Sequence, residues 1–464
     1  MAPATRPLAP AVSRPPRLFL FALAFALITF PGSVAAATLA AWVELVGPGR
    51  DATIRVITDE ASCPDLSADG GPLHMQVRAD PGPLVTGGVQ VPPVDFPVRV
   101  CEVTAPPGKP TILLEGRTLP APPTDIKRVV VFGDTGCRIK KRKIQDCNDS
   151  QAWPYAKLAA HAAEAKPDLV IHVGDYLYRE RPCSPDAGDC PTSPTGYGWS
   201  AWDADFFTPS APLLAAAPWI MVRGNHEACS RAGEGWVRFL DHAPVDNSCA
   251  QVVDFFVVAL GKLGFVVMDS AQVADASGAE AEDSDDEEDT GETTDLADTL
   301  RRKYEDIAHS VPANAWLLSH APFNAVRVGK KARNDTDDKA LRQEGTVDNT
   351  LQQQAIGGLL PPGIKMIVSG HIHLFEALSF GGRIPPQLVV GTGGDKLGKK
   401  PKVPAEIAGV PVTASIVLKH FGYMVWDRDD RDGQKWKGEL RNEDGAPMVR
   451  CQLAERELSC AAEP

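Results

Sequence analysis

Five short segments of the sequence carry residue types that bind metal ions, and each segment follows an apolar run. The segments are Gly133-Asp134-Thr135-Gly136, Gly174-Asp175-Tyr176-Leu177-Tyr178, Gly224-Asn225-His226-Glu227, Ser319-His320 and Gly370-His371-Ile372-His373. In four of the five, a glycine directly precedes the first candidate ligand. Glycine allows a sharp turn off a strand and leaves room for a metal or a phosphate near the backbone. The pattern predicts one site at the ends of several strands.

The candidate ligands supply carboxylates, imidazoles, an amide oxygen and a phenolate, a set that suits borderline and hard cations such as Fe, Mn and Zn. They are Asp134, Asp175, Tyr178, Asn225, His320, His371 and His373. Taken singly, Gly-Asp and Gly-Asn-His are more typical of a simple turn than of a metal site, and Gly-His-x-His is equally typical of either. Together, and in this order after apolar runs, the fragments predict a metal centre.

The same segments make the chain resemble the calcineurin-like metallophosphoesterases. Tyr178, three residues after Asp175, makes it most similar to the purple acid phosphatases, and the resemblance covers roughly residues 129–421. The resemblance implies a ferric ion bound by Asp134, Tyr178 and His373. It implies a divalent partner (Fe, Zn or Mn) bound by Asn225, His320 and His371, with Asp175 bridging the two ions. His226 is implied as an acid outside the coordination sphere.

A centre of this kind is expected to cleave small-molecule phosphate esters by attack of a metal-bound hydroxide. Two cations about 3.5 to 4 Å apart can stabilise both the attacking and the departing oxygen of an in-line displacement, and a shared carboxylate such as Asp175 sets that spacing. A protonated His226 would donate to the leaving group. We therefore expect a phosphoric ester hydrolase that works best in mild acid.

Two alternatives stay open at the level of sequence. One is a Mn or Zn phosphodiesterase or nucleotidase of the same superfamily, in which Tyr178 does not bind iron. The other is a non-catalytic binding protein that keeps the metals for structure. Plant purple acid phosphatases carry further histidines beyond the position of His320, whereas no histidine lies between His320 and His371 here. The preference for monoesters or diesters is therefore open.

Two groups of basic residues lie on loops that leave strand ends, and they are therefore expected on the same rim of the site. One follows the first candidate ligand segment, and the other follows Gly391-Thr392-Gly393-Gly394. They are Arg138-Ile139-Lys140-Lys141-Arg142-Lys143, and the set Lys396, Lys399, Lys400 and Lys402. A solvated charge cluster and attraction of an anionic substrate explain them equally well. Because the run lacks interleaved aromatic residues, no stable nucleic-acid partner is expected.

The strands that must position the ligands are continuous apolar runs, which are typical of strands buried on both faces. These runs are Arg128–Phe132, Leu169–Val173, Trp219–Val222, Phe265–Met268, Trp316–Leu318, Ile364–Val368 and Leu388–Val390. Helical stretches at Trp153–Ala165 and Leu296–His309 lie between some of them. The resulting prediction is an α/β catalytic domain, in which a four-layer metallophosphoesterase β-sandwich is flanked by helices.

The part before this domain alternates short apolar and polar residues between proline and glycine clusters, which predicts a small all-β sandwich. The proline-rich stretch at 119–124 would be a linker. The predicted organisation is a signal peptide at 1–37, an N-terminal β-sandwich domain at 38–123, and a catalytic domain at 124–464.

The signal peptide is predicted from three arginines followed by the apolar run Leu18–Phe30 and small residues. That run of 13 residues is too short to span a bilayer as a helix, so we expect a secreted or periplasmic protein without a membrane span. Ten cysteines in such a chain favour disulfides. Pairing neighbours gives Cys63–Cys101, Cys137–Cys147, Cys183–Cys190, Cys229–Cys249 and Cys451–Cys460. The sequence leaves the oligomeric state open.

The formal net charge is −13, and one segment accounts for most of it. Twelve carboxylates and no lysine or arginine lie between Asp275 and Asp298. Residues 274–295 are therefore predicted to be a disordered acidic insertion. The remaining body is close to neutral, so the overall charge does not identify a partner.

Overall fold

The structure is a computed structural model. The structure describes Met1 and residues 38–47, 51–84, 94–140, 143–184, 192–276, 293–328, 345–347, 352–353, 360–429 and 434–463. The predicted signal peptide beyond Met1, most of the acidic insertion, and Cys190 lie outside the described residues. Residues Ala36–Pro464 form one compact unit, which contains every element below.

The strands before the first candidate ligand are β1 (Thr38–Gly47), β2 (Asp51–Thr58), β3 (Leu66–Ala68), β4 (Gly71–Leu73), β5 (Gln76–Ala79), β6 (Arg99–Thr104), β7 (Ile112–Leu114), β8 (Arg117–Leu119) and β9 (Arg128–Phe132). Those up to the last ligand are β10 (Ile139–Lys140), β11 (Lys143–Ile144), β12 (Leu169–His172), β13 (Trp219–Met221), β14 (Phe256–Leu260), β15 (Leu263–Met268), β16 (Ala315–Ser319), β17 (Val326–Val328), β18 (Gly345–Val347) and β19 (Ile364–Ser369). The remaining strands are β20 (Phe375–Ser379), β21 (Gln387–Val390), β22 (Glu406–Ile407), β23 (Val410–Pro411), β24 (Ala414–Leu418), β25 (Tyr423–Arg428), β26 (Lys435–Arg441), β27 (Pro447–Ala454) and β28 (Glu457–Ala462).

The helices are α1 (Tyr155–Glu164), α2 (Trp199–Trp202), α3 (Thr208–Leu214), α4 (Gly233–Phe239), α5 (Ala271–Ala276) and α6 (Thr293–Ser310). A π-helical turn, Asp203–Phe207, joins α2 to α3, and a 3₁₀ turn covers Asn225–Glu227. The predicted helices correspond to α1 and α6. Among the helices that the structure describes, none combines the length and the hydropathy of a membrane-spanning segment.

Two large sheets contain the strands that carry the candidate ligands. Among the described residues, the first sheet has eleven strands in the order β28-β27-β26-β25-β9-β12-β13-β1-β2-β6-β5. The second has seven strands in the order β14-β15-β16-β19-β21-β20-β24. Strands β9, β12 and β13 run parallel in the first sheet, and β15, β16, β19 and β21 run parallel in the second. Parallel strands bring their carboxyl ends to a common edge, where open α/β sheets bind ligands.

The buried side chains show how the layers stack. Val129 and Val131 of β9 belong to a core shared with Phe265 and Trp316 of the second sheet, so the two sheets pack face to face. Val130 points to the other face, into a core with α1 and α3. On the outer face of the second sheet, α6 packs against β15 and β16. The predicted α/β architecture of stacked sheets flanked by helices is therefore confirmed.

The N-terminal strands continue the first sheet. Strand β1 runs parallel to β13 with Glu44 opposite Trp219, and β2, β6 and β5 add on antiparallel. The predicted all-β character of this part is confirmed. Its other strands form a separate four-stranded sheet in the order β4-β3-β7-β8. The domain boundary at residues 123 and 124 stays a prediction. In the structure, strands from both sides of it share one sheet.

Among the described residues, four predicted disulfides are present, namely Cys63–Cys101, Cys137–Cys147, Cys229–Cys249 and Cys451–Cys460, and the fifth involves Cys190, which lies outside those residues. Cys183 is also disulfide-bonded. Within the predicted acidic insertion, residues 274–276 belong to α5 and residues 293–295 to α6, and residues 277–292 lie outside the described residues. Helix α6 is amphipathic, because Leu300, Tyr304 and Ile307 on one face are buried.

Candidate metal centre

The segments that carry candidate ligands leave the carboxyl ends of strands in both sheets. Asp134 follows β9, Asp175 follows β12, and Asn225 follows β13 in the first sheet. His320 directly follows β16, and His371 follows β19 in the second sheet. All five side chains are buried. Because the sheets pack face to face, their ligand-bearing edges meet in one buried region.

The glycines before the ligands make this meeting possible. A Cβ atom on Gly224 would lie 2.1 Å from Oδ1 of Asp175, and one on Gly370 would lie 2.6 Å from Oδ2 of Asp134. Both distances are far below any tolerated contact. The room that the sequence predicted for a metal or phosphate is thus filled first by a carboxylate, which comes from the neighbouring strand at Gly224 and from the facing sheet at Gly370.

Three of the candidate ligands have left-handed backbone conformations, with φ of 58° at Asp134, 61° at Asp175 and 68° at His371. Such a conformation costs a residue with a side chain about 1 to 3 kcal/mol and is concentrated at functional sites. Here it turns each side chain back from its strand end into the space between the sheets. The rest of the fold must hold these residues in place.

One cluster of ligand atoms gathers around the hydroxyl of Tyr178. This oxygen lies 2.7 Å from Oδ2 of Asp175, 3.1 Å from Oδ1 of Asp134 and 3.0 Å from Nε2 of His373. Nε2 of His373 is itself 3.3 Å from Oδ1 of Asp134. Ligands bound at about 2.1 Å and at right angles to each other on one cation are about 3.0 Å apart. The cluster therefore has the spacing of a coordination sphere.

A second cluster lies on the other side of Asp175. Nε2 of His320 is 3.2 Å from Oδ2 of Asp175 and 3.0 Å from Oδ1 of Asn225. His371 completes the group with Asp175 and His320, whose ligand atoms all lie within 4.8 Å of one another. The ring centroids of His320 and His371 are 5.2 Å apart. This set of donors also fits one metal ion.

Asp175 belongs to both clusters, since Asp134, Asp175 and His373 form a second group within the same 4.8 Å limit. Its Oδ2 atom contacts Tyr178 on one side and His320 on the other. A carboxylate oxygen placed in this way can be shared by two cations. The donor chemistry and the spacing thus fit a dinuclear metal centre.

The electrostatics of the region favour added positive charge. Burial lowers the pKa of His320, but Asp175 and its hydrogen bond raise it more, to about 9. Burial likewise lowers the pKa of His373, but Asp395 and Asp134 raise it to about 10. Burial, together with Asp175 and Asp134, raises the pKa of the Tyr178 phenol well above its usual value. A phenolate at this position therefore requires a strongly Lewis-acidic cation.

Two further buried carboxylates hold the loop that carries Asp175 and Tyr178. The carboxylate of Glu227 accepts hydrogen bonds from the backbone N–H groups of Asp175, Tyr176, Leu177 and Gly224. Asp205, in the π-helical turn, accepts from the backbone N–H groups of Cys137, Tyr178 and Arg179. Such outer partners fix the orientation of metal ligands. The π-helical turn fits the frequent occurrence of these turns at functional sites.

His373 is oriented by the carboxylate of Asp395, which comes after β21. Its Nδ1 is 3.0 Å from Oδ2 of Asp395, and Arg138 forms a bidentate ion pair with the same carboxylate at 2.6 to 3.2 Å. The Arg138 guanidinium also lies over the Tyr178 ring, 5.1 Å from its centroid. This chain of contacts leaves Nε2 of His373 facing the first cluster.

His226 lies beside the centre and is buried. Its ring packs 3.9 Å from the Tyr178 ring, and its Nε2 is 3.9 Å from Oδ2 of Asp175. Its backbone N–H donates to Oδ1 of Asp175. The residue therefore borders both clusters without a contact short enough for a shared coordination sphere with Asp175.

The structure brings all seven candidate ligands and His226 into one region. Sequence reasoning missed the four carboxylates that support them. These are Asp205, Glu227, Asp395 and Glu180, whose Oε1 lies 3.0 Å from Nδ1 of His226. A signal for two of them existed, because Glu227 ends the Gly-Asn-His segment and Asp395 follows glycines after the apolar run of β21. Of the basic residues predicted at the rim, Lys396, Lys399, Lys400 and Lys402 are exposed, whereas Lys141 and Arg142 lie outside the described residues.

Comparisons with known proteins give the family. The family model of calcineurin-like phosphoesterases matches residues 127–375. Among solved structures, one described as PhoD is 12% identical, with 93% of each chain covered and a TM-score of 0.52. The purple acid phosphatase PPD1 from yellow lupin (Lupinus luteus) seeds is 14% identical, with 92% of this chain and 74% of that chain covered and a TM-score of 0.48.

The comparison with curated proteins gives no match. At these identities the likeness to PhoD concerns the fold alone. The family model, by contrast, spans more than half of the chain and includes every candidate ligand. The chain therefore belongs to the calcineurin-like phosphoesterases.

Proposed function

We propose that this protein is a dinuclear-metal hydrolase of phosphate esters, of the purple acid phosphatase type. The observation that carries the proposal is the position of Asp175, whose carboxylate is shared by two buried clusters of ligand-type side chains. We assign Asp134, Tyr178 and His373 to a ferric ion, and Asn225, His320 and His371 to a divalent ion (Fe, Zn or Mn). When bound, the two cations supply Lewis acidity and make water nucleophilic in mild acid.

The residues of the chain then have separate tasks. Asp175 would be a ligand of both cations, and Glu227 and Asp205 hold the loop from which Asp175 and Tyr178 project. His226 carries a proton at Nε2, on the side of its ring that faces Asp175. In the reaction this proton passes to the oxygen of the departing alcohol, because an alkoxide is a poor leaving group.

A second candidate is a Mn or Zn phosphodiesterase or nucleotidase built on the same ligands. It is favoured by the hydrogen bond from the Tyr178 hydroxyl to Asp175, at 2.7 Å, together with the raised pKa of that phenol. In this alternative, Tyr178 stays protonated and orients the shared carboxylate. Iron would then not be required, and the protein would be colourless.

Metal analysis combined with a visible spectrum and ester kinetics separates the candidates. The first candidate predicts two metals per chain including iron, a visible charge-transfer band, and faster hydrolysis of monoesters than of diesters. The second predicts Mn or Zn, no band, and a preference for diesters or nucleotides. Protein with two metals that hydrolyses no phosphoester would contradict both and favour a binding protein.

A further inference from the structure

The loop that follows β21 carries four lysines beside the first ligand cluster. We call residues 396–402 the lysine loop; its lysines are Lys396, Lys399, Lys400 and Lys402. All four are exposed, and among the described residues none of their ammonium groups forms an ion pair with a carboxylate. The sequence from residue 396 to residue 405 contains no aspartate or glutamate. The loop is therefore a concentrated positive patch on a chain whose formal net charge is −13.

The start of the lysine loop is fixed to the ligand segments by its backbone. The N–H group of Asp395 donates to the carbonyl of Asp134 at 2.9 Å, and that of Gly398 donates to the carbonyl of His373 at 2.9 Å. The carbonyl oxygen of Lys396 lies 3.2 Å from Nδ1 of His373. Because these contacts hold the backbone, the loop leaves from the edge of the first cluster, and its lysines extend on flexible four-carbon stems.

The carboxylate that is nearest in sequence does not neutralise the lysine loop. Asp395 is fully buried, and its side chain is already paired with Arg138 and His373. Four like charges within seven residues repel one another, and a patch of one sign raises the local concentration of anions. The ammonium groups of the loop are thus available to an anionic ligand.

A substrate bound at the two ligand clusters presents its scissile phosphate there, so the lysine loop faces a different part of the molecule. A phosphate monoester group carries a charge of about −1.5 to −2 at pH 7 and three acceptor oxygens. Several ammonium groups can therefore surround it, whereas a carboxylate offers a single charge. Since the loop contains no aromatic residue on which a base could stack, a nucleic acid is a poorer fit.

We propose that the lysine loop is a subsite for a second phosphate group, and that the substrate is a small ester with two or more phosphates. One phosphate is bound for hydrolysis at the ligand clusters, and another contacts the ammonium groups of the loop. The loop thereby contributes to substrate affinity and takes no part in the chemical step. The part of this inference that concerns hydrolysis rests on the proposed function.

Binding of two non-hydrolysable phosphonates to the zinc-loaded protein tests the subsite. Butane-1,4-diyl bisphosphonate has a second phosphonate that butylphosphonate lacks, and calorimetry measures both dissociation constants. We expect the bisphosphonate to bind roughly 5- to 20-fold more tightly, because of two exposed ion pairs and the statistical gain of a symmetric ligand. The double variant Lys399→Gln/Lys400→Gln should lower this ratio toward the statistical factor of about 2, with little change in the affinity for butylphosphonate.

Lys262→Gln/Lys437→Gln is the matched control, because it removes the same net charge from other surfaces. Lys262 is exposed at the amino end of β15, whereas the ligand clusters lie at the carboxyl ends of the strands, and Lys437 is exposed on β26. This control should leave the ratio of the two affinities unchanged. A wild-type ratio of about 2 or less, or an equal fall in both double variants, would overturn the proposal.

Kinetics with the corresponding esters tests the substrate class. The wild type should hydrolyse butane-1,4-diol bisphosphate with a lower KM than 4-hydroxybutyl phosphate and a similar kcat, since the subsite acts on binding. Lys399→Gln/Lys400→Gln should remove most of the difference in KM. A preference in phosphonate binding without turnover of either ester contradicts the proposed function alone. Turnover of both esters with equal KM and no preference in binding contradicts the subsite alone, and binding of neither phosphonate contradicts both.

Discussion

Two regions of the molecule bury several charged groups, and they do so in different ways. In the N-terminal part of the first sheet, Arg55 bonds to Glu44 at 2.8 Å and to Glu102 at 3.3 Å. The same guanidinium donates to the backbone carbonyls of Phe239, the last residue of α4, and of Asp241 just after that helix. The positive charge of Arg55 is thus balanced by carboxylates and carbonyl oxygens of the chain itself.

At the ligand clusters the buried negative charge is not balanced by cationic side chains in the same way. Two buried carboxylates, Asp134 and Asp175, face imidazoles and a phenol, and the raised pKa values of His320 and His373 report a negative potential there. The chain can reduce this potential by taking up protons or metal cations. The comparison teaches that a buried ionic cluster balanced from within is structural, whereas one that attracts cations marks a ligand site.

The largest effect is expected from Asp175→Asn, which removes the shared charge with little change in shape. The variant should bind less than one metal per chain at ion concentrations that saturate the wild type. It should lose several kcal/mol of transition-state stabilisation, or roughly 10³-fold in rate. Metal analysis and ester kinetics measure both effects. Two retained metals and full activity would show that Asp175 is not the bridge.

Arg55→Met tests the other side of the comparison. Removing one partner of a buried ion pair costs about 3 to 5 kcal/mol, so urea unfolding should show a large loss of stability. The folded fraction should keep its metals and its specific activity. In the double variant Arg55→Met/Glu44→Leu much of the stability should return, because no uncompensated carboxylate is left. A loss of metal from Arg55→Met would mean that the two regions are not independent.

Tyr178→Phe separates the ferric assignment from its Mn or Zn alternative. The phenolate is expected to give iron-loaded protein its colour, so the variant should lose the visible band. Asp134, Asp175 and His373 remain, and we expect the fold and part of the activity to survive. Absorption spectra of iron-loaded wild type and variant are the measurement. A colourless wild type would rule out phenolate binding to iron.

After removal of the metals, the stability of the protein should fall as the pH rises. In the metal-free protein the pKa of His373 is about 10, against 6.5 in an unfolded chain. The protonated histidine thus contributes stability that is complete below pH 6.5 and is lost as the pH rises through 10. Urea unfolding of chelator-treated protein should show this decline, and His373→Gln should reduce it. An increase in stability over the same range would contradict the electrostatic description.

The smallest effect is expected at the basic rim. Lys399 and Lys400 are exposed, and the loop that contains them is joined to His373 through the backbone hydrogen bond of Gly398. Replacing both lysines by alanine should raise KM for a phosphate ester by a small factor that disappears at high salt, where exposed charges are screened. Lys437→Ala on β26, also exposed, serves as the control. An effect that persists at high salt would indicate direct contact with substrate.

The strands and the ligand segments could be predicted because both leave local signals. The apolar run Arg128–Phe132 matches β9, and the glycines before Asp134 and Asp175 mark the turns that follow β9 and β12. The supporting residues leave weaker signals, since a buried glutamate such as Glu180 looks like a surface glutamate in the sequence. Its partners Arg231 and Lys140 become neighbours only after the chain folds.

The extension of the first sheet by β1 could not be predicted from the sequence either. A pairing between Glu44 and Trp219 depends on contacts between segments far apart in the chain, and periodicity within β1 does not reveal them. The alternation of apolar and polar residues predicted strands correctly, but it did not say to which sheet they would add. Long-range pairing is a property of the whole chain and not of a window of residues.

The placement of β9 in the first sheet has a consequence for how this protein is made. β9 pairs with β12 on one side and with β25 on the other, where Arg128 meets Asp427 across 299 residues. One edge of the strand that leads to Asp134 therefore stays open until nearly the whole chain has been synthesised. Open edges can pair with other chains, and distant pairings form slowly. We infer that folding follows the completion of synthesis, and that truncation before Tyr423 would yield an aggregating chain.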